Sequence, residues 1–216
     1  ANNHRMGDIA ETTGPVYVTG QVHGTAPIEY IALFNRNREL QRFAPNPKTH
    51  DPNRVKIIWS GATHQDRGRF MRWDGGLQFS GGEMTGIQPL NIYTAKYGID
   101  EWSATHAKWR SVTSGQEEGV LLDIEGPDDA VINFKAGPAV FSFTLGEARN
   151  GELRWDLGGL EQYVTASTQH TDGGTPDVNF EFTDENPGAG DQAYWIRVVQ
   201  TDFHRAWSSP IYLTTS

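Results

Sequence analysis

The sequence predicts an all-β protein: an immunoglobulin- or fibronectin-like sandwich with an inserted second β-rich lobe and at most one or two short helices. Three observations support this fold class. The 216 residues include 24 glycines and 11 prolines, which together make up about 16% of the chain. These two residue types contribute roughly 12% on average, and both favour tight turns. Short apolar or alternating runs recur between turn signals, as in β-sandwiches. No long stretch holds a helical period.

The strand predictions follow from alternating side chains bounded by turn residues. Residues 16–22, for example, place three valines on one face of the pleat. Residues 193–200 form the clearest strand pattern in the chain, because β-branched and aromatic residues dominate it. In chain order, the predicted strands span residues 16–22, 28–34, 39–43, 55–59, 67–73, 77–79, 119–125, 130–135, 139–145, 179–182, 193–200 and 207–214.

Turn signals join several of these strands. The sequence Asp74-Gly75-Gly76 after a β-rich run predicts a hairpin turn. Residues 126–129, which read Gly-Pro-Asp-Asp, predict another hairpin. One short helix is expected over residues 99–110, where Trp102, His106 and Trp109 fall at helical spacing.

The two ends of the chain predict a single domain. Residues 194–198 and 208–212 resemble the last two strands of an immunoglobulin- or fibronectin-type sandwich, and residues 16–34 resemble an early strand pair. We therefore predict a discontinuous β-sandwich domain of residues 1–58 and 186–216, with residues 59–185 as the inserted lobe. The alternative is one continuous β-sandwich over residues 1–216.

Composition excludes several functions. The chain has 18 Lys and Arg against 27 Asp and Glu, for a formal charge of −9, which argues against nucleic acid as a partner because phosphate neutralisation needs a basic surface. The absence of cysteine excludes disulfides and thiol catalysis. No apolar run approaches the ~20 residues of a membrane span.

Catalytic signals are weak throughout the chain. The seven histidines show no metal-ligand spacing, and no nucleophile elbow or phosphate loop is present. We therefore assign no catalytic, cofactor-binding or metal-binding residue to this chain and expect that it is not itself an enzyme. Two acidic loops stay open as calcium sites or as solvated turns in which Asp and Asn bond their own backbone. Their residues are Asp123, Glu125, Asp128 and Asp129, and Asp184, Glu185, Asn186 and Asp191.

Two surface hypotheses remain. Arg67, Arg69 and Trp73 share one face of a predicted strand, where they would form an anion-binding or domain contact, or else a charged, solvated edge. The seven tryptophans suggest a carbohydrate- or other ligand-binding module, because sugar C–H faces pack on flat aromatic rings. Core packing is the alternative for most of them.

A series of short motifs follows a recurring order along the chain. The motifs are Met6-Gly7, Trp59-Ser60-Gly61-Ala62, Arg67-Gly68-Arg69, Trp73-Asp74-Gly75, Gly81-Gly82, Trp109-Arg110-Ser111-Val112-Thr113-Ser114-Gly115, Gly119-Val120-Leu121-Leu122, Gln200-Thr201-Asp202 and Ala206-Trp207-Ser208-Ser209-Pro210-Ile211. Together they resemble the C-terminal region of a family of large proteins. The N-terminal part of that family is a polymerase-and-histidinol-phosphatase-like (PHP-like) metal-dependent phosphoesterase.

The resemblance implies an accessory, non-catalytic role. In such proteins the metal-binding His and Asp residues lie in the N-terminal hydrolase part, so none is carried over to this chain and no cofactor is expected in it. The implied partner is the N-terminal hydrolase domain of the same polypeptide. A carbohydrate-binding module is the alternative function, and a stand-alone hydrolase with a site assembled from distant residues is a third.

Overall fold

The structure is a computed structural model that describes residues 4–46, 48–65, 67–92, 94–170 and 174–215. Strands make up 62% of it, and one short helix is present among the described residues. The predicted all-β class is therefore confirmed. The chain divides into two compact units, one of Ala1–Pro47 with Thr171–Ser216 and one of Lys48–His170. We call them the split unit and the middle unit.

The split unit begins with β1 (Ile9–Thr12), β2 (Val16–His23), β3 (Ile28–Asn35) and β4 (Arg38–Phe43). The middle unit contains β5 (Thr49–His50), β6 (Arg54–Ala62), β7 (Met71–Arg72), β8 (Gly75–Ser80), β9 (Glu83–Leu90), β10 (Gly98–Trp102), β11 (His106–Arg110), β12 (Val112–Thr113), β13 (Glu117–Glu125), β14 (Val131–Ala136), β15 (Ala139–Thr144), α1 (Leu145–Asn150), β16 (Leu153–Gly158), β17 (Leu160–Ser167) and β18 (Gln169–His170). The split unit then resumes with β19 (Asp177–Asp184), β20 (Gly190–Gln200), β21 (Arg205–Trp207) and β22 (Ile211–Thr215).

The split unit has one large and one small sheet. The large sheet has the order β1-β22-β20-β3-β4, with β21 beside β20, and β1 runs parallel to β22. The small sheet is the antiparallel ribbon of β2 and β19. Both sheets contribute to one buried cluster, because alternate residues of each strand are apolar. Its members are Val16, Val18, Ile28, Ile31, Leu33, Val178, Phe180, Phe182, Tyr194, Val198, Ile211 and Leu213.

Tyr194 is the largest polar side chain in this cluster. It is 1% exposed, and its hydroxyl donates a hydrogen bond to Asp184 Oδ2 at 2.7 Å. Burial, and then this bond to the carboxylate, raise the pKa of the Tyr194 hydroxyl above its usual range. The bond therefore links the end of β19 to the early part of β20 across a short loop.

Replacing Tyr194 with phenylalanine is expected to lower the free energy of unfolding by about 2 kcal/mol. The variant keeps the ring but removes a hydrogen bond to a carboxylate, and such bonds contribute roughly 1.5–3 kcal/mol. Urea unfolding monitored by circular dichroism measures the loss. Tyr212→Phe is the matched control, because Tyr212 is 46% exposed in the same sheet. Equal effects of the two substitutions would show that the hydrogen bond from Tyr194 to Asp184 does not contribute the expected stability.

The middle unit is built from two five-stranded sheets around a shared core. One has the order β16-β17-β6-β13-β9 and the other β10-β11-β8-β14-β15, and all pairs within them are antiparallel. Two short ribbons, β7 with β12 and β5 with β18, complete the unit. The core includes Trp59 and Val120 from the first sheet and Trp109 and Phe134 from the second.

The predicted unit boundaries differ from those in the structure. A join after residue 58 would divide β6, which lies wholly in the middle unit. A join before residue 186 would place β19 in the inserted lobe, whereas β19 pairs along its whole length with β2 of the split unit. The difference arises because turn residues mark where strands end but not which sheet the next strand joins.

Two predicted hairpins are wrong. Residues 126–129 do form a turn, but it connects β13 in one sheet to β14 in the other. Gly75 and Gly76 lie inside β8 rather than in a turn, and β8 pairs with β11 and β14. These glycines instead allow the neighbouring backbones to approach closely, since a Cβ on Gly75 would overlap the Lys135 carbonyl oxygen.

The predicted helix over residues 99–110 is also wrong, because this segment forms the antiparallel hairpin of β10 and β11. The one helix among the described residues, α1, lies elsewhere. Thr144 caps its N-terminus: its hydroxyl accepts from the Glu147 N–H at 3.2 Å, and a Glu147 carboxylate oxygen accepts from the Thr144 N–H at 2.7 Å. This reciprocal capping box stabilises a six-residue helix that is too short to give a periodic pattern.

Candidate functional site

The three residues predicted as an anion or domain contact do not share a face. Arg67 and Arg69 are exposed, in a segment that forms a turn rather than a strand, and Arg69 has φ +50°. Trp73 is fully buried, and its indole N–H donates to Thr113 Oγ1 at 2.9 Å. The predicted stripe is wrong because a turn interrupts the alternation that would have aligned the three side chains.

The motif residues meet instead in a hydrogen-bonded network inside the middle unit. Ser111, which has no exposed surface, lies at its centre. The Ser111 hydroxyl accepts from the Trp59 indole N–H at 2.7 Å and donates to Glu118 Oε2 at 2.6 Å. Gln116 Nε2 donates to the other carboxylate oxygen of Glu118 at 3.2 Å. We call this set the Ser111 network.

A second branch runs beside the Ser111 network. Thr113 accepts from Trp73 and donates its own hydroxyl to the Gly61 carbonyl at 2.6 Å. Trp109 donates its indole N–H to the Trp73 carbonyl at 3.0 Å and stacks on Trp59, with ring centroids 5.0 Å apart. The indole N–H groups of the three fully buried tryptophans, Trp59, Trp73 and Trp109, therefore all have an acceptor, as buried polar groups require.

Glu118 is a carboxylate placed inside a core. It is 7% exposed and lies in register with Trp59 on β6. Burial raises the pKa of Glu118, and the hydrogen bonds from Ser111, Gln116 and the Val112 backbone oppose that rise. Through the hydrogen bond that it accepts from Ser111, the Glu118 carboxylate orients the Ser111 hydroxyl.

The raised pKa of Glu118 predicts a pH dependence of stability. An acid whose pKa is higher in the folded than in the unfolded chain stabilises the fold fully below its ordinary value of 4.5, and this contribution is lost as pH rises through the folded pKa. We therefore expect a decline in the free energy of unfolding as pH rises above 4.5, and a smaller decline in Glu118→Gln. Urea unfolding across this range, followed by tryptophan fluorescence, measures both.

Glu125→Gln provides the control for this measurement, because Glu125 is exposed at the end of the same strand. Its pH dependence is expected to match that of the unaltered chain. If Glu118→Gln and Glu125→Gln gave the same pH profile, Glu118 would not be the group responsible.

Sequence reasoning missed Glu118 and Ser111 as partners, although a signal was present. Val120, Leu122 and Ile124 alternate on one face of β13 and are buried. Extending the same alternation backwards places Glu118 on that inner face. Because Glu118 alternates with these core residues, the sequence pattern predicts that it is a buried acid. Its hydrogen-bond donors are identified only by the pairing of the strands.

A Ser–His–Glu arrangement occurs in the hairpin of β10 and β11. Ser103 Oγ lies 2.7 Å from His106 Nδ1, and His106 Nε2 lies 3.9 Å from Glu101 Oε1. The Glu101 carboxylate is engaged at 2.5 Å by Lys108 Nζ, whose hydrogen bond lowers the pKa of Glu101. Ser103 Oγ also accepts from the Thr105 N–H at 3.2 Å. These contacts stabilise the hairpin turn, and the carboxylate lies beyond hydrogen-bond distance of the imidazole.

The two acidic loops form contacts with the protein itself. Asp123 pairs with Arg54 at 3.0 Å, and Asp128 pairs with Arg149 at 2.6 Å. Asp184 accepts from Tyr194, as described above. Across the described residues, no group of three or more His, Asp or Glu side chains is arranged to hold a metal ion. Asp184 Oδ1 also accepts from the Asn186 N–H at 3.2 Å, which is the local backbone bond that the turn interpretation expects in the second loop.

The tryptophans divide into buried and exposed members. Trp59, Trp73 and Trp109 are at most 1% exposed, whereas Trp102 is 47% and Trp207 is 60% exposed. Trp155 is half-buried and stacks on Phe141, with ring centroids 3.7 Å apart. Core packing therefore accounts for the tryptophans of the motif series in the middle unit.

An aromatic and basic surface lies on the outer side of the large sheet in the split unit. Trp207 is in register with Arg197, and Tyr212 is in register with Ile9 and Ala193, all on the side opposite the core. Tyr212 is 46% and Ile9 is 82% exposed. We call the surface of Trp207, Arg197, Tyr212 and Ile9 the Trp207 face.

Contacts on the same outer side of the sheet support Arg197 in the Trp207 face. Trp195 stacks on Phe34 with ring centroids 4.2 Å apart, and the Arg197 guanidinium lies 5.0 Å from the Phe34 ring. Glu39 accepts from Arg197 at 3.4 Å. Phe34 and Glu39 thus contact the Arg197 guanidinium, which is in register with the exposed Trp207.

Comparison of the chain with protein-family models, with curated proteins and with solved structures returned no match. Among the described residues, no helix has the length and apolar character needed to cross a membrane.

Proposed function

We propose that this chain is the non-catalytic, β-rich accessory region of a larger PHP-like metal-dependent hydrolase. The observation that carries the proposal is the Ser111 network. Trp59, Trp73, Ser111 and Thr113 all come from the motif series that underlies the family resemblance, and all four are buried and hydrogen-bonded to the protein itself. Residues used in this way determine a fold rather than a reaction.

We infer that the split unit has an immunoglobulin- or fibronectin-like architecture. A small sheet of β2 and β19 faces a sheet in which β22, β20, β3 and β4 are successive neighbours, and this order matches the two-sheet arrangement of such domains. Tyr194, near the start of β20, donates to the Asp184 side chain ten residues upstream, which resembles a tyrosine corner except that the hydroxyl of such a corner bonds to the backbone. The middle unit is then an insertion between β4 and β19.

The Trp207 face is the surface that would contact the hydrolase domain of the same polypeptide. It combines an exposed tryptophan, tyrosine and isoleucine with an arginine fixed by stacking. The few residues that dominate the binding energy of protein interfaces are enriched in Trp, Tyr and Arg. An exposed apolar surface of this kind is costly to leave in water and commonly marks a contact site.

The test begins with the gene. We expect the reading frame upstream of Ala1 to encode a His- and Asp-rich hydrolase region. In the protein encoded by the whole frame, Trp207→Ala is expected to weaken the interdomain contact by about 2 kcal/mol, roughly thirtyfold. Limited proteolysis at the domain junction and thermal unfolding measure this effect, and Trp102→Ala serves as the control on an exposed tryptophan of the middle unit.

Two outcomes would overturn the proposal. One is an upstream reading frame that lacks a hydrolase region. The other is hydrolysis of p-nitrophenyl phosphate by the purified 216-residue chain with added Mn²⁺ or Zn²⁺, when a single substitution in this chain abolishes it. Equal effects of Trp207→Ala and Trp102→Ala would place the domain contact on another surface.

A further inference from the structure

A shallow hollow lies on the outer side of the ribbon formed by β2 and β19 in the split unit. Its volume is about 480 Å³, and most of it is open to solvent. Four side chains line it: Thr19 and Gln21 on β2, and Asn179 and Glu181 on β19. They form four corners, because Thr19 is in register with Glu181 and Gln21 with Asn179. The backbones of Gly20 and Phe180 lie between these corners.

Within the described residues, the four corner side chains have no hydrogen-bond or ion-pair partner in the protein. Thr19, Gln21, Asn179 and Glu181 are exposed, and within the described part of the chain none of them makes a side-chain hydrogen bond or an ion pair. The hollow therefore concentrates unused hydrogen-bonding capacity in one place.

The ribbon that carries the hollow is held rigidly from behind. Val18 alternates with Thr19, and Phe180 and Phe182 flank Glu181. All three apolar side chains belong to the buried cluster of the split unit. Because one face of each strand is fixed in the core, the backbone positions that carry the outward side chains keep a fixed spacing. Such preorganisation lowers the entropic cost of binding.

The chemistry of the corners selects a ligand rich in hydroxyl groups. Each carboxamide offers donors and an acceptor, the threonine hydroxyl offers both, and the carboxylate only accepts. A sugar hydroxyl also donates and accepts, so adjacent hydroxyls can pair with neighbouring corners. Tyr17, next on the same face and 49% exposed, offers an aromatic surface for sugar C–H groups at one end.

Other ligand classes fit less well. The walls contain no Lys or Arg, and Glu181 would repel a phosphate or carboxylate. His23, at the far end of the ribbon, is paired with Asp177 at 2.8 Å. A calcium ion requires more carboxylate ligands than the single one present. The corner side chains are polar, which disfavours a hydrocarbon ligand.

We propose that this hollow is a carbohydrate-binding site, in which Gln21 and Asn179 donate to and accept from sugar hydroxyls and Tyr17 packs on a sugar face. The proposal goes beyond the accessory role and is independent of it. A chain that binds sugar through this ribbon can also contact a hydrolase domain through the Trp207 face.

A glycan array probed with the fluorescently labelled chain tests the proposal. We expect at least one glycan to be bound, and its titration in solution to shift the side-chain amide resonances of Gln21 and Asn179 in ¹⁵N spectra. Gln21→Ala and Asn179→Ala are each expected to weaken binding about tenfold, the effect of one lost hydrogen bond. Gln88→Ala, at an exposed glutamine on β9 of the middle unit, is the control and leaves affinity unchanged.

Three results would overturn the proposal. The first is an array on which no glycan binds above background. The second is binding that persists at full strength in both Gln21→Ala and Asn179→Ala. The third is binding that Trp207→Ala abolishes while Asn179→Ala does not, since this places the sugar on the Trp207 face. Circular dichroism of each variant verifies that the exposed substitutions preserve the fold.

Discussion

Replacing Ser111 with alanine is expected to lower the free energy of unfolding of the middle unit by about 3 kcal/mol. One hydroxyl serves both the Trp59 indole and the Glu118 carboxylate, so its removal leaves a buried donor without an acceptor and weakens the solvation of a buried acid. Each unsatisfied buried group costs roughly 1–3 kcal/mol, and more when it is charged. Urea unfolding followed by tryptophan fluorescence measures the loss, because the probe lies in the network itself.

Ser142→Ala is the matched control for this experiment. Ser142 also makes a hydrogen bond with a side chain, to Asn133 Oδ1 at 2.7 Å, but it is exposed, so water replaces the lost partner and we expect a change below about 0.5 kcal/mol. The double variant Ser111→Ala with Glu118→Gln is expected to lose less than the sum of its two parts, because both act on one network. A loss below about 1 kcal/mol for Ser111→Ala would contradict the role of the network.

Gly75→Ala is expected to destabilise the middle unit by about 3 kcal/mol. Gly75 lies between Trp109 on β11 and Ala136 on β14, where an added methyl group would overlap the Lys135 carbonyl oxygen and approach the Ala136 Cα at 2.5 Å. Overpacking of a closed core typically costs 1–3 kcal/mol. Backbone atoms of a paired strand have little freedom to move, so we expect the cost of this substitution to lie at the upper end of that range.

Gly151→Ala is the control for the glycine experiment. Gly151 has an extended backbone, with φ 169°, and a Cβ there would meet no atom within 4 Å. Its substitution is expected to be neutral or slightly stabilising, because alanine loses less entropy on folding. If thermal unfolding showed equal midpoints for the two variants, close approach of neighbouring backbones would not explain why position 75 is a glycine.

The sequence patterns predicted local structure more reliably than pairing. Alternation located β2 and β20 closely, because one side of each strand is apolar and buried. It could not show that the turn at residues 126–129 crosses between sheets, since the same Gly-Pro-Asp-Asp sequence suits either connection. Residues 99–110 read as a helix because Trp102, His106 and Trp109 have a helical spacing, but Ala107 and Trp109 bury one face of a strand.

The candidate sites were less predictable than the fold. An uninterrupted strand would place Arg67 and Arg69 on the same face as Trp73, but the turn at Arg67 breaks that strand. The Ser111 network joins residues that are distant in sequence, Trp59 and Ser111 being 52 positions apart. Only the pairing of β6 with β13 brings Trp59 beside Glu118. The hollow on β2 and β19 likewise depends on a register between strands more than 150 residues apart.

The parallel pairing of β1 with β22 has a mechanical consequence. The two strands run in the same direction, with Ile9 opposite Tyr212 and Thr12 opposite Thr215. A pull on the two ends of the chain would draw them in opposite directions along their length and load their hydrogen bonds in shear, so that the bonds share the force. While β1 stays paired with β22, the hydrogen bonds between them carry the force, and the chain between residues 12 and 211 is not stretched. The Ser111 network would thus be shielded from stretching until β1 detaches.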